Sequence, residues 1–162
     1  MTRIKIYVFS LLCVVIVSTH GPLAVVAQNF DVNSDANAAI KDTIVKIYTV
    51  SNSPDYLNPW RMRGARRSTG SGCIIDGNRI LTNAHVIANH TFIQIRRYSE
   101  AKRYKARLLD VSHDADLAVL TVEDNSFFEG ITPLEFGELP ETQQEVMVYG
   151  FPLGGDSLSI TK

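Results

Sequence analysis

Cysteine is almost missing. The 162-residue chain carries two, Cys13 and Cys73, too few for a disulfide-stapled scaffold. Neither sign of charge is in clear excess, with 16 basic residues against 17 acidic ones, so there is no electrostatic footprint for nucleic acid. Internal repeats, low-complexity tracts and heptads are absent, and so are metal-ligand spacings of the H-E-x-x-H or clustered-cysteine kind. Neither a metal nor a cofactor is therefore expected. What remains is a composition of 45% hydrophobic and 20% charged residues, that of a folded globular chain, at a length suited to one ordinary domain.

The N-terminus changes the meaning of that length. Arg3 and Lys5 precede an apolar run over residues 8–17 (VFSLLCVVIV), too short to span a bilayer unaided. Val25, Val26 and Ala27 then supply the small residues of a cleavage site. This tripartite pattern predicts a signal peptide over residues 1–27, with Gln28 as the new N-terminus and export to the periplasm, the extracellular space or the secretory pathway. An uncleaved membrane anchor is the alternative. Cys13 follows Leu12 rather than a small residue, which does not suit a lipoprotein site. Cleavage leaves Cys73 as the single cysteine, so the mature chain would rest on its core.

Residues 28–42, polar and rich in Asn and Asp, read as a flexible mature N-terminus. An all-β body follows. Residues 43–50 (TIVKIYTV) alternate as a strand. Residues 51–72, with Pro54, Pro59, Arg61, Arg63, Arg66 and Arg67, lack an apolar period and read as a long surface loop. A hairpin is expected about Asp76-Gly77, between 73–76 and 79–82. Strands are expected over 91–97, 102–111, 117–122 and 145–150, with a helical turn near 84–88. Arg96, Arg97, Lys102, Arg103, Lys105 and Arg107 read as one solvated sheet face.

Two stretches carry chemistry. In residues 69–87 (TGSGCIIDGNRILTNAHVI), His85 stands at the end of a strand among small neighbours, where an imidazole can face a cleft and work as a general base. In residues 113–122 (HDADLAVLTV), Asp116 stands at the mouth of an apolar strand, where a carboxylate can orient an imidazole through its Nδ1–H. Other candidates are weaker. His113 falls on the turn before the strand, and His90 reads as a surface residue. Cys73 sits in an apolar strand with no basic neighbour to activate it and reads as a small buried hydrophobe. Asn89-His90-Thr91 is an N-x-T sequon, meaningful only in a eukaryotic secretory pathway.

The segment GSGCIIDGNRILTNAHV followed by DADLAVLTV resembles the Deg/HtrA family of chymotrypsin-like serine proteases, most of all its plant-type members. The resemblance runs on through FFEGITPLEFG and VYGFPLGGDSLSIT and back to YLNPW, over about residues 43–162. It implies a double β-barrel, of which residues 43–150 would form the first, six-stranded barrel and 151–162 the interbarrel linker and the start of the second. It also implies His85 as general base, Asp116 as the acid that orients it, polypeptide substrates that are often misfolded proteins, and homo-oligomers, often trimers.

One part of the family pattern is missing. The nucleophile's G-N-S-G-G or G-D-S-G-G motif does not occur in the 162 residues. Gly155-Asp156-Ser157 reads as its first half, but Leu158 and Ser159 follow where two glycines must aim backbone N–H groups at an oxyanion. Ser157 therefore reads as part of a turn. Two readings stay open: a serine endopeptidase represented by its N-terminal part, and a non-catalytic, protease-like binding module.

Overall fold

The computed structural model describes residues 5–9, 12–16, 34–152 and 155–162. Its elements are β1 (Lys5–Phe9), β2 (Leu12–Ile16), α1 (Ser34–Thr43), β3 (Ile44–Pro54), β4 (Met62–Ile75), β5 (Arg79–Thr82), β6 (His90–Arg97), β7 (Tyr104–Ser112), β8 (Leu117–Val122), β9 (Glu135–Phe136), β10 (Met147–Gly150) and β11 (Ser159–Thr161). Short 3-10 turns cover Ala84–Val86 and Asn125–Phe128.

Six strands close into a barrel in the order β3-β4-β5-β8-β7-β6, with β3 paired to both β4 and β6. Alternation decides what lies inside. Val45, Ile47, Ile74, Ile80, Ile93, Ile95, Ala106, Leu120 and Val122 fill the interior, and Phe127 closes one end edge-to-face against Tyr104, with ring centroids 4.9 Å apart. Each fully buried isoleucine or leucine contributes about 1.5–3 kcal/mol relative to exposure.

The barrel's outer face is also covered along β4, β5 and β8. Ile44, Cys73, Ile75 and Leu81 point outward and form a second cluster with Ile40 of α1, Leu134, Tyr149 and Phe151. Burial on both faces explains why these strands read as unbroken apolar runs instead of alternating ones. Tyr149 is fully buried and its hydroxyl donates to Asn37 Oδ1 at 2.7 Å, while burial pushes its pKa up.

A second sheet has the order β11-β10-β2-β1-β9. The expected strand over 145–150 is thus real as β10, but it lies outside the closed barrel, which spans Ile44 to Val122. Parts of the expected signal segment, Lys5–Phe9 and Leu12–Ile16, pair as antiparallel strands beside β9 and β10. The expected cleavage point at residues 25–28 lies outside the described residues.

Two expectations need correction. Residues 34–42 are not a flexible tail: α1 occupies them and Ile40 is buried in the outer cluster. Residues 51–72 are not a loop either. β3 and β4 run on past the barrel as a two-stranded ribbon, in register from Ile44↔Cys73 to Asn52↔Ala65 and, after a bulge, paired again at Pro54↔Met62, with residues 55–61 turning between them. The ribbon's outer part is held by its backbone ladder and buries almost nothing, so no apolar period marks it.

Candidate active site

Strand β5 ends at Thr82, and the chain turns at once into the 3-10 turn Ala84–Val86. Ala84 is buried, which anchors the turn on the barrel and leaves His85 projecting, with its side chain 62% exposed. β4 passes close beneath this turn because Gly70 lacks a side chain: a Cβ there would lie 2.6 Å from Val86 Cγ1. Asp116 stands at the entrance to β8 with φ +51°, in the left-handed region that aspartate and asparagine enter more readily than most residues.

The two predicted residues meet. Asp116 Oδ2 lies 2.7 Å from His85 Nδ1, and Asp116 Oδ1 accepts the His85 backbone N–H at 2.9 Å. Asn83, which the sequence reading missed, donates through Nδ2 to the Asp116 backbone oxygen at 3.1 Å and to Oδ2 at 3.3 Å. Asn83 is 8% exposed and precedes the turn with extended backbone, yet its side chain makes no capping bond. The signal available in the sequence was a buried amide between an apolar strand and a histidine. Such a group must find a partner.

These donors set the protonation pattern. The His85 backbone N–H above all, then the His85 ring and the Asn83 amide, hold the Asp116 carboxyl below its ordinary value, against the opposing effect of desolvation. An ionised Asp116 only accepts, so the ring nitrogen that faces it, Nδ1, carries a proton, and in the neutral imidazole the lone pair is then on Nε2. The arrangement can therefore take a proton at Nε2 and hold the resulting imidazolium against a carboxylate.

The other candidates stand apart from this pair. Ser157 makes no hydrogen bond to His85 among the described residues, and its neighbour Asp156 is committed to Lys46 Nζ at 2.7 Å. His113 is exposed on the turn before β8, and His90 Nδ1 lies 2.9 Å from the Ile87 backbone oxygen, partly buried. Cys73 is fully buried. Arg96 and Arg97 are not on a freely solvated face: their side chains are only 18% and 16% exposed and pair with Asp156 and Glu100. Among the described residues, no group of three or more His, Cys, Asp or Glu gathers as a metal site would.

Comparison with known proteins agrees with the fold. Residues 70–162 match the model of the trypsin-like peptidase domain. The mitochondrial protease Do-like 4 of Arabidopsis thaliana is 46% identical over 121 residues, covering 75% of this chain and 23% of that protein. A serine protease DegP homolog of Plasmodium falciparum is 41% identical over 119 residues, covering 74% of this chain and 14% of that protein. The active form of the Rv3671c protease from M. tuberculosis superposes with a TM-score of 0.58 at 22% identity, over 89% of this chain and 60% of that one, a likeness of fold. The chain thus spans about a quarter of the length of the Arabidopsis relative. By its matched domain the chain belongs to the trypsin-like peptidase family, and its relatives there are Do-like, that is Deg/HtrA, proteases.

Proposed function

We propose that this chain carries the acid–base half of a serine endopeptidase site. The observation that supports it is the double contact of Asp116 with His85 in a barrel of this family. In this reading His85 Nε2 takes the proton of an attacking serine hydroxyl and later returns it to the leaving amine, while Asp116 fixes the tautomer and steadies the imidazolium. The serine and the backbone N–H groups that receive the oxyanion lie outside these 162 residues, because the G-x-S-G-G motif does not occur in them. Polypeptides are the substrates this chemistry implies, and assembly into a homo-oligomer belongs to the same proposal.

The same missing motif favours a second reading, a protease-like binding module without catalysis. The transcript beyond the Lys162 codon separates the two. Continuation in frame into a G-x-S-G-G segment is the expected result, and a stop codon directly after Lys162 would sink the enzyme reading. The continued product should react with a fluorophosphonate probe and lose that labelling in His85→Ala. The 162-residue chain alone should stay unlabelled.

The reading of residues 1–27 as an export signal rests on the basic start and the run VFSLLCVVIV. The Arabidopsis relatives carry mitochondrial and chloroplastic names, and an organellar leader would be Arg- and Ser-rich and amphipathic instead. N-terminal sequencing of the mature product should begin at Gln28.

A further inference from the structure

The outer ribbon of β3 and β4 takes no part in the His85–Asp116 arrangement, and its end is unlike the rest of the surface. Tyr56, Leu57 and Trp60 are 81%, 87% and 93% exposed there. Their outward placement is built. Asp55 N–H donates to the Arg61 oxygen at 2.9 Å, Asn58 N–H to the Asp55 oxygen at 3.0 Å and Arg61 N–H to the Asn58 oxygen at 2.8 Å. The Asp55 carboxylate accepts from Leu57 N–H and Asn58 Nδ2. The turn thus holds itself through its own backbone and the Asp55 carboxylate, and its apolar side chains stay exposed.

Below that end stands a cationic collar. Arg61, Arg63, Arg66 and Arg67 are all exposed, against a single acid, Asp55, on the same stretch. Arg66 and Arg67 are successive in β4 and so point to opposite faces. Residues Arg63, Gly64 and Arg66 of β4 line a small depression together with Ser51 and Ser53 of β3, where Arg66 is the cross-strand partner of Ser51, a setting rich in donors for a phosphate. Arg61 adjoins Trp60 in the turn and Arg63 lies at the start of β4, so both follow Trp60 within at most about 10 Å of chain, a reach comparable with the ~5–8 Å headgroup layer of one leaflet.

We propose that the β3–β4 ribbon is an interfacial anchor for anionic lipid bilayers. Tyr56, Leu57 and Trp60 enter the boundary between headgroups and acyl chains, where amphipathic aromatic rings are favoured. The arginine collar meets the lipid phosphates, one of them in the depression between Arg63 and Arg66. A bilayer fits better than a folded partner. The ribbon's end is narrow and convex, whereas a stable protein interface needs about 800 Å² from each side. The proposal is independent of the peptidase reading.

Trp60 is the only tryptophan, so its emission reports on the ribbon alone. The full chain would be mixed with vesicles of equal phosphatidylglycerol and phosphatidylcholine, and with vesicles of phosphatidylcholine only. With the anionic vesicles the emission should shift to the blue and be quenched by brominated lipid, with binding at least about tenfold weaker on the neutral ones. Arg63→Gln and Arg66→Gln should each weaken binding about fivefold. Sedimentation with vesicles while Trp60 emission stays unchanged would overturn the proposal, since another segment would then make the contact. A blue shift without lipid that grows with protein concentration, together with a rise in mass by light scattering, would overturn it in favour of a second copy. An equal shift with soluble glycerol phosphate would reduce the site to a small-anion site and overturn the bilayer. Should a variant fail to fold, the brominated-lipid measurement on the unaltered chain still decides.

Discussion

Asp116 holds His85 at two points, the ring Nδ1 at 2.7 Å and the backbone N–H at 2.9 Å. One carboxylate therefore fixes both the imidazole and the 3-10 turn that carries it. In Asp116→Asn the side chain keeps one acceptor oxygen, and its NH2 faces a donor. Backbone exchange at His85 should speed up at least tenfold by NMR. In a product that carries the nucleophile, peptidase turnover should fall about ten-thousandfold, as expected when the tautomer is lost. Unchanged exchange at His85 would show that the carboxylate does not hold the turn.

The same contacts make the site sensitive to acid. The His85 backbone N–H, the His85 ring and Asn83 hold the Asp116 carboxyl below its ordinary value of 3.8. A carboxyl whose folded pKa is depressed contributes stability that is fully present above its unfolded value and is lost as pH falls through the folded one. Anchoring of the turn should therefore persist at pH 5 and weaken only below about pH 4. NMR titration of the Asp116 carboxyl carbon should give a midpoint below 3.8, and a midpoint at or above that value would contradict the assigned contacts.

How far the sequence revealed this follows from burial. β5 and β8 were legible because both their faces are covered, which forces apolar runs such as LAVLTV. His85 and Asp116 were legible from their places at strand ends. The outer half of β4 was not: from Met62 to Ser68 every residue is exposed, and a strand held only by its ladder leaves no pattern in side chains. α1 was missed for a related reason. In SDANAAIKDT the one large apolar side chain is Ile40, which joins the core, and its apolar companions are only alanines among polar residues, so composition suggested a tail. Asn83 was passed over because its partner lies 33 residues away on another strand end.

Glycine at two positions of β4 should respond differently to alanine. At Gly72 a Cβ would come within 2.9 Å of the Leu81 backbone oxygen, in a strand pair that cannot shift without opening the barrel. Gly72→Ala should cost about 1–3 kcal/mol, read from the denaturant midpoint. At Gly70 the clash is with the Val86 side chain, which can yield. Gly70→Ala should cost less, yet displace the Ala84–Val86 turn, seen as chemical-shift changes at His85 and Asp116. Equal stability losses without such changes would argue against the close approach of β4 to that turn.

Lys46 joins the barrel to the segment that leaves it. Its side chain is 3% exposed, its Nζ donates to the Gly155 backbone oxygen and to Asp156 Oδ1, and the Tyr48 and Phe151 rings flank it at 5.2 and 5.9 Å. The Lys46 hydrogen bond, followed by its charge and that of Arg96, holds the Asp156 carboxyl below its ordinary value. Because Asp156 is 77% exposed, water screens the pair, and its worth lies in placement more than in stability. Methionine keeps the aliphatic volume and removes a buried charge, and because the remaining partner Asp156 is exposed and hydrated, no buried charge is left unpaired. Lys46→Met should therefore leave the unfolding midpoint unchanged or slightly raised. Residues 155–157 should nonetheless exchange and be cleaved by added protease several-fold faster, and the Asp156 midpoint should move up toward 3.8. A large stability loss with an unchanged Asp156 titration would mean that Lys46 serves the core and not the placement of the segment that leads out of the barrel.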